Sequence, residues 1–175
     1  YEECCRNNIN TLAGGPGLYL DAYLNNLDNP TNSSPYFTTI PVTQFCVNNQ
    51  FYFDQGAFDI DNDSLVYTLI NAQDATFGCP YLPFDVTYNT DPCGFPYSGL
   101  NPVATTPCNG TTINPLTGVI SFLPSTVQNA VIAVRCTEYD RTTNKIIGEN
   151  ITDKALQSFA GQNKKDTIKI IDKIM

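Results

Sequence analysis

The residues of this chain best suited to do chemistry are five carboxylates. Asp59, Asp61 and Asp63 stand at two-residue spacing just before the alternating run Ser64–Ile70, and Glu138 and Asp140 flank Tyr139. Carboxylates two apart converge on a hard cation where the backbone turns, and Ca2+ takes about six to eight oxygens. Glu3 is a further donor from a distant segment. The loop is not an EF-hand: counting from Asp59, the glycine position holds Ser64 and the closing glutamate is replaced by Ile70. A second reading needs no metal, because Asp61, Asn62 and Asp63 also favour Asx-turns that launch a strand. Asp63 is a ligand in the first reading and a turn residue in the second. The sequence leaves both open.

Other chemistry finds less support. The chain has no histidine, so a Ser or Cys nucleophile lacks its usual base. No glycine-rich loop follows a strand to cradle phosphate. A carboxylate-pair glycosidase requires only closeness in space, which no spacing reveals. We expect no enzyme. Seven cysteines (Cys4, Cys5, Cys46, Cys79, Cys93, Cys108, Cys136) include no Cys-x-x-Cys pair and have no histidine to complete a zinc site. Disulfides, and with them an oxidising compartment, are the expectation. Adjacent Cys4 and Cys5 disfavour a bond to each other and reach separate partners, Cys46 being one candidate. Cys79, Cys93 and Cys108 staple the loop they punctuate. The odd count leaves one thiol unpaired, buried or bonded to another chain, and the connectivity stays open.

Charge divides the chain unevenly. Residues 1–144 carry a net −10 and residues 145–175 a net +2, and every proline lies at or before Pro124. An acidic body lacks the basic face that nucleic acid requires. No run approaches the roughly 18 apolar residues of a membrane-spanning helix. The first residue is Tyr1 rather than Met, which fits a removed export signal and fits a chosen boundary equally well.

These side chains must be positioned by strands, since Tyr, Phe, Pro and Gly are frequent and strong helix formers scarce. Leu18–Leu24 alternates as a half-buried strand. Residues 25–35 form a turn-rich loop. Phe37–Val42, with Pro41 marking an edge, and Phe51–Phe53 are further strands. Ser64–Ile70 is the clearest, with Leu65, Tyr67 and Leu69 on one face. Residues 71–110 are irregular, and so long a loop is functional or cross-linked. Exposed Tyr and Phe of residues 77–97 serve either to stack on sugar rings or to plug that loop. Val119–Leu123 and Ala130–Tyr139 are strands, the latter with Ile132, Val134 and Cys136 inward and Arg135 and Thr137 outward. Lys145–Ile151 is a shorter strand. Lys154–Phe159 reads as one or two helical turns ended by Gly161. In Thr167–Ile174, Ile168, Ile170 and Ile174 share a face opposite Lys169 and Lys173, an amphipathic strand. About eight or nine strands make an all-β sandwich. We divide the chain into a sandwich domain, 1–152, and a lysine-rich extension, 153–175.

An ordered series of motifs carries a resemblance. It runs through Cys4-Cys5-Arg6-Asn7, Asn32–Phe37, Phe45-Cys46-Val47 and Gly56–Tyr67, then Asn114-Pro-Leu-Thr-Gly118-Val-Ile-Ser-Phe122 and Ala133–Tyr139. Over about residues 1–150 the chain resembles the cadherin-like or immunoglobulin-like repeat of large secreted surface proteins of gliding and related Bacteroidota. That resemblance implies an immunoglobulin/cadherin-like β-sandwich, export to the cell surface and an adhesive or structural role. Three places depart from the pattern: Asn62 stands where the family's turn has glycine, Asp140 where a basic residue is common, and Thr152-Asp153 where Arg-Asp usually precedes the last strand. The same resemblance makes Ser64 (Asp63-Ser-Leu65) and Thr167 (Asp166-Thr-Ile168) candidate O-glycosylation sites. Asn-x-Ser/Thr sequences occur at Asn32, Asn62, Asn109 and Asn150. The leading expectation is a non-catalytic extracellular module that binds other domains or copies of itself, with Ca2+ as its one candidate cofactor. One alternative is a filament subunit donating residues 166–174 as a strand to its neighbour. Another is a carbohydrate-binding domain.

Overall fold

The computed structural model describes residues 2, 3, 6, 8–39, 43–76 and 82–160. Cys4, Cys5, Cys79, the Glu3 side chain, Gly161 and the expected terminal strand with Thr167, Ile168, Ile170 and Ile174 lie outside the described residues. The described part is all-β, without a helix. Its strands are β1 (Glu2–Glu3), β2 (Leu18–Tyr19), β3 (Ala22–Leu24), β4 (Tyr36–Phe37), β5 (Gln44–Cys46), β6 (Phe51–Phe53) and β7 (Ala57–Phe58). There follow β8 (Ser64–Ile70), β9 (Gln73–Ala75), β10 (Pro83–Asp85), β11 (Thr112–Ile113), β12 (Ile120–Phe122), β13 (Asn129–Tyr139) and β14 (Ile146–Phe159).

The long hairpin β13–β14 is the spine. It centres a five-stranded sheet ordered β3-β14-β13-β8, with β5 added in parallel to the far end of β14. A three-stranded sheet, β11-β12-β6, lies across a core of Phe45, Tyr67, Leu69, Ile120, Phe122 and Val134. Phe122 anchors that core, with Phe45 edge-on at 5.1 Å and Phe51 tilted at 4.9 Å between ring centroids. Such aromatic pairs add about 0.5–1.5 kcal/mol each beyond burial. The expected inward row Ile132, Val134 and Cys136 belongs to this core.

The opposite face of β13 is covered as well, and this departs from the simple in/out alternation. Val131 and Ala133 pack with Ile9, Leu12, Ala72 and Val86 in a second core. Thr137, expected outside, is buried, while Arg135 remains half-exposed. The described residues between 71 and 110, a stretch expected as an irregular loop, add Ala72, Val86 and Tyr88 to this second layer. Besides the short β9–β10 ladder and backbone bonds such as Val86 to Ala72, side chains hold them. Tyr88 accepts the Ala72 amide, and Asn89 Nδ2 donates to the carbonyls of Asn10 and Leu12. Buried Asp91 accepts the amides of Cys93 and Phe95 and the Asn101 side chain. These donors hold the Asp91 carboxyl below the usual carboxylate range against the opposing effect of burial.

The Cys93–Cys108 disulfide closes this layer, so the expected staple is present. Cys46, a candidate partner for Cys4 or Cys5, and Cys136 are free thiols, whereas the odd count left only one cysteine unpaired. Cys136 is fully buried in the apolar core beside Tyr67, and burial pushes its thiol up to about 12. It is inert as a nucleophile there. Replacing Cys93 and Cys108 together by serine is expected to cost about 3 kcal/mol for a closure of this length. A urea melt under non-reducing conditions measures it, and an unchanged midpoint would show that the layer holds without its staple.

Two element expectations need correction. Leu18–Leu24 is not one half-buried strand: it divides into β2, paired with β1, and β3, at the edge of the large sheet. Ala22, Tyr23 and Leu24 are all exposed there, where β3 pairs with Gly148–Asn150 at the end of the sheet order. Lys154–Phe159 forms no helical turn. It continues β14, whose residues 154–157 face Ile132–Asn129 on one side while 157–159 face Gln44–Cys46 on the other. Two ladders outweigh local helix preference. The same 14-residue strand carries the sheet past the boundary placed at residue 152.

Candidate functional site

The acidic site is built at one end of the β8–β13 pair. The chain leaves β7 at Phe58 and turns through residues 59–63 before entering β8. Asp59 Oδ1 closes that turn by accepting the Asp63 amide at 2.9 Å. Asn62 takes a left-handed conformation, φ 62°. Asparagine is among the few side chains that tolerate it, so Asn62 fills the backbone role of the missing glycine. Glu138 comes from β13, whose register sets it opposite Leu65 of β8 and Gly148 of β14, just before a bulge. A Cβ added at Gly148 would stand 2.2 Å from Glu138 Oε2, so the carboxylate occupies space that only glycine leaves. The Asn32 amide reaches the cluster from the loop before β4.

Of the five predicted ligands, three converge. Carboxylate oxygens of Asp59, Asp63 and Glu138 lie within 4.8 Å of one another. Glu138 is completely buried and Asp59 is 5% exposed. Both oxygens of Glu138, and Oδ2 of Asp59, have no hydrogen-bond partner. A buried charged group left unpaired costs several kcal/mol in general, so such a site calls for a proton or a cation. Burial pushes the Glu138 carboxyl up to about 7; the nearby Asn32 amide is the main opposing effect, and the charges of Asp59 and then Asp63 add to the rise. Asp63 is raised too, by burial first and then by Asp59.

The other two predicted ligands are engaged elsewhere. Asp61 Oδ2 accepts the Ser33 amide at 2.7 Å, which pins the Asn32 loop to the turn. Asp140 caps the β13–β14 turn, accepting the amides of Thr142 and Thr143 and the Thr143 hydroxyl. These bonds hold its carboxyl below the usual range. Its charge still reaches Asp63. The turn before β8 is thus closed by Asp59, through the amide four residues on, rather than by the expected Asx-turns of Asp61, Asn62 or Asp63. Ser64 is exposed at the start of β8, beside the site. Asn32, read in the sequence only as an N-x-S motif, has its amide nitrogen buried, unlike exposed Asn62 and Asn109. Its place at the cluster had no signal in its own neighbourhood.

Three carboxylates around one small space suit the binding of a hard, oxygen-seeking cation. Ca2+ would find three anionic oxygens here and complete its shell with water or backbone carbonyls. No protein-family model, curated protein or solved structure matches this chain.

Proposed function

We propose that this chain is a non-catalytic structural or adhesive module of an extracellular surface protein, with the immunoglobulin/cadherin-like sandwich its motifs resemble. A divalent cation, Ca2+ by its preference for carboxylate oxygens, ties the 59–63 turn to the end of β13. The observation that carries the cation is Glu138, wholly buried with both oxygens unpartnered beside Asp59 and Asp63. The two-core all-β scaffold and the Cys93–Cys108 staple support an exported module. Binding would stiffen the end of the sheet and neutralise a cluster that otherwise repels itself.

Calcium at a hundredfold excess over its dissociation constant is expected to raise the melting temperature by roughly 5–11 °C. Asp59→Asn is expected to remove most of that rise while keeping the hydrogen bond that closes the turn. Differential scanning calorimetry with EDTA and with millimolar Ca2+ or Mg2+ reads both. A melting temperature indifferent to every ion sinks the cation, and with it the one feature that distinguishes this end of the module.

A further inference from the structure

Lys154 sits on the opposite face of β14 from its neighbour Asp153 and points between the two sheets. Its Nζ donates to Gln55 Oε1 at 2.7 Å and stands 4.4 Å from the centre of the Phe53 ring and 5.7 Å from that of Phe37. Gln55, between β6 and β7, is completely buried. Its Nε2 has no hydrogen-bond partner. Phe51, Ile120, Phe122, Ile132 and Leu156 complete the surrounding wall. An amine and a carboxamide are thus held in contact beside aromatic rings, the carboxamide nitrogen without a partner. No carboxylate is in hydrogen-bond contact with Lys154 among the described residues, where Asp153 is committed to Arg6 on the other face.

The geometry points to a self-formed isopeptide cross-link between Lys154 and Gln55. The Nζ lone pair adds to the Gln55 carbonyl carbon, the Cδ–Nε2 bond breaks, and ammonia leaves with the proton that Nζ gives up. The product is one Lys–Gln amide and one ammonia, with no other reactant. The amine must be neutral to attack, and burial among the rings draws its pKa down to about 8. Fixed proximity supplies what a bimolecular reaction lacks, since effective molarities of well-placed groups are on the order of 10⁵ M or more. The surrounding wall also excludes the water that would otherwise compete for the carbonyl. Condensation removes the half-buried amine charge and the orphaned Nε2 hydrogens of Gln55. It ties the segment after β6 to β14 and so joins the two sheets covalently. This inference is independent of any cation at the acidic site.

Intact-mass spectrometry of the reduced, denatured full chain tests it, after incubation of the folded protein above pH 8. The expected mass is that of the sequence less one ammonia, and a tryptic digest should contain a branched peptide joining residues 55 and 154. Lys154→Arg and Gln55→Ala are each expected to show the full mass. A full-mass wild-type chain overturns the proposal without reference to any variant. So does a loss of ammonia that persists in Lys154→Arg or that maps to an asparagine.

Discussion

Replacing Asp153 by alanine is expected to cost about 3–5 kcal/mol of stability, with a fall in melting temperature on the order of 10 °C. Asp153 and Arg6 form an ion pair whose side chains are each only 6% exposed. Arg6 also donates to the carbonyls of Gly17 and Gln73, so one guanidinium joins the N-terminal segment, the turn before β2, β9 and β14. Removing the carboxylate strands a cation that cannot discharge itself, because arginine stays protonated at any usable pH. The reverse deletion is milder. With Arg6→Met, the aspartate can take up a proton, and burial already raises its pKa even with the arginine beside it. Arg6→Met should therefore cost less than Asp153→Ala, and less still as the pH falls. Urea midpoints at constant slope measure both. Equal losses at low pH would show that Arg6 acts through its backbone contacts rather than its charge.

The strand pattern was readable where one face met one core. Ser64–Ile70, Phe51–Phe53 and Ile120–Phe122 lie where period-two alternation and aromatic content place them. The second core escaped because its signal is a broken pattern rather than a pattern. Ala130-Val-Ile-Ala-Val is apolar at every position, and a strand without a polar parity is one buried on both faces. Reading only Ile132, Val134 and Cys136 as inward left Val131 and Ala133 uncovered, and with them the need for a second layer. That layer comes from residues 8–13, 71–76 and 82–90, where the Asn89 and Tyr88 side chains supplement a short ladder and scattered backbone bonds. Contacts of that kind leave no periodicity. Lys154–Phe159 misled for a related reason: its strand is imposed by β13 and β5, not by its own residues.

The site was legible by parity as much as by motif. Extending the inward row of β13 by one step beyond Cys136 reaches Glu138, so the alternation that builds the core also buries this glutamate. The aspartate spacing could not say which members would join it. Asp59 and Asp63 are four residues apart and linked by a hydrogen bond that brings them to one side, while Asp61 between them turns to Ser33. Asp140 follows Glu138 by two residues, yet a bulge at Glu138/Tyr139 intervenes and its oxygens serve the next turn. Short-range hydrogen bonds thus sorted five equivalent-looking carboxylates into three that converge and two that hold loops.

In ion-free buffer the folded protein is expected to lose stability as pH rises through neutrality, and Glu138 sets the window. Its carboxyl ordinarily titrates at 4.5 and is pushed up to about 7 in the fold, by burial first and then by Asp59 and Asp63. The folded state therefore holds this proton more tightly than the unfolded chain. The resulting stabilisation is fully present below 4.5 and disappears as the pH rises through about 7. One proton gives a slope of at most about 1.4 kcal/mol per pH unit in that interval. Asp63, also raised, acts with the same sign at the lower edge. Calcium should reverse the trend. A cation takes the place of the proton, so its affinity grows as Glu138 ionises, and the saturated protein should keep its stability where the ion-free form weakens. Glu138→Gln separates the two effects, since a neutral amide can stand where the protonated acid stood. Its ion-free profile should be nearly flat across the window, and calcium should no longer stabilise it. A slope that survives in Glu138→Gln would place the titrating group elsewhere. A calcium effect that survives in it would mean that the ion does not use this buried carboxylate.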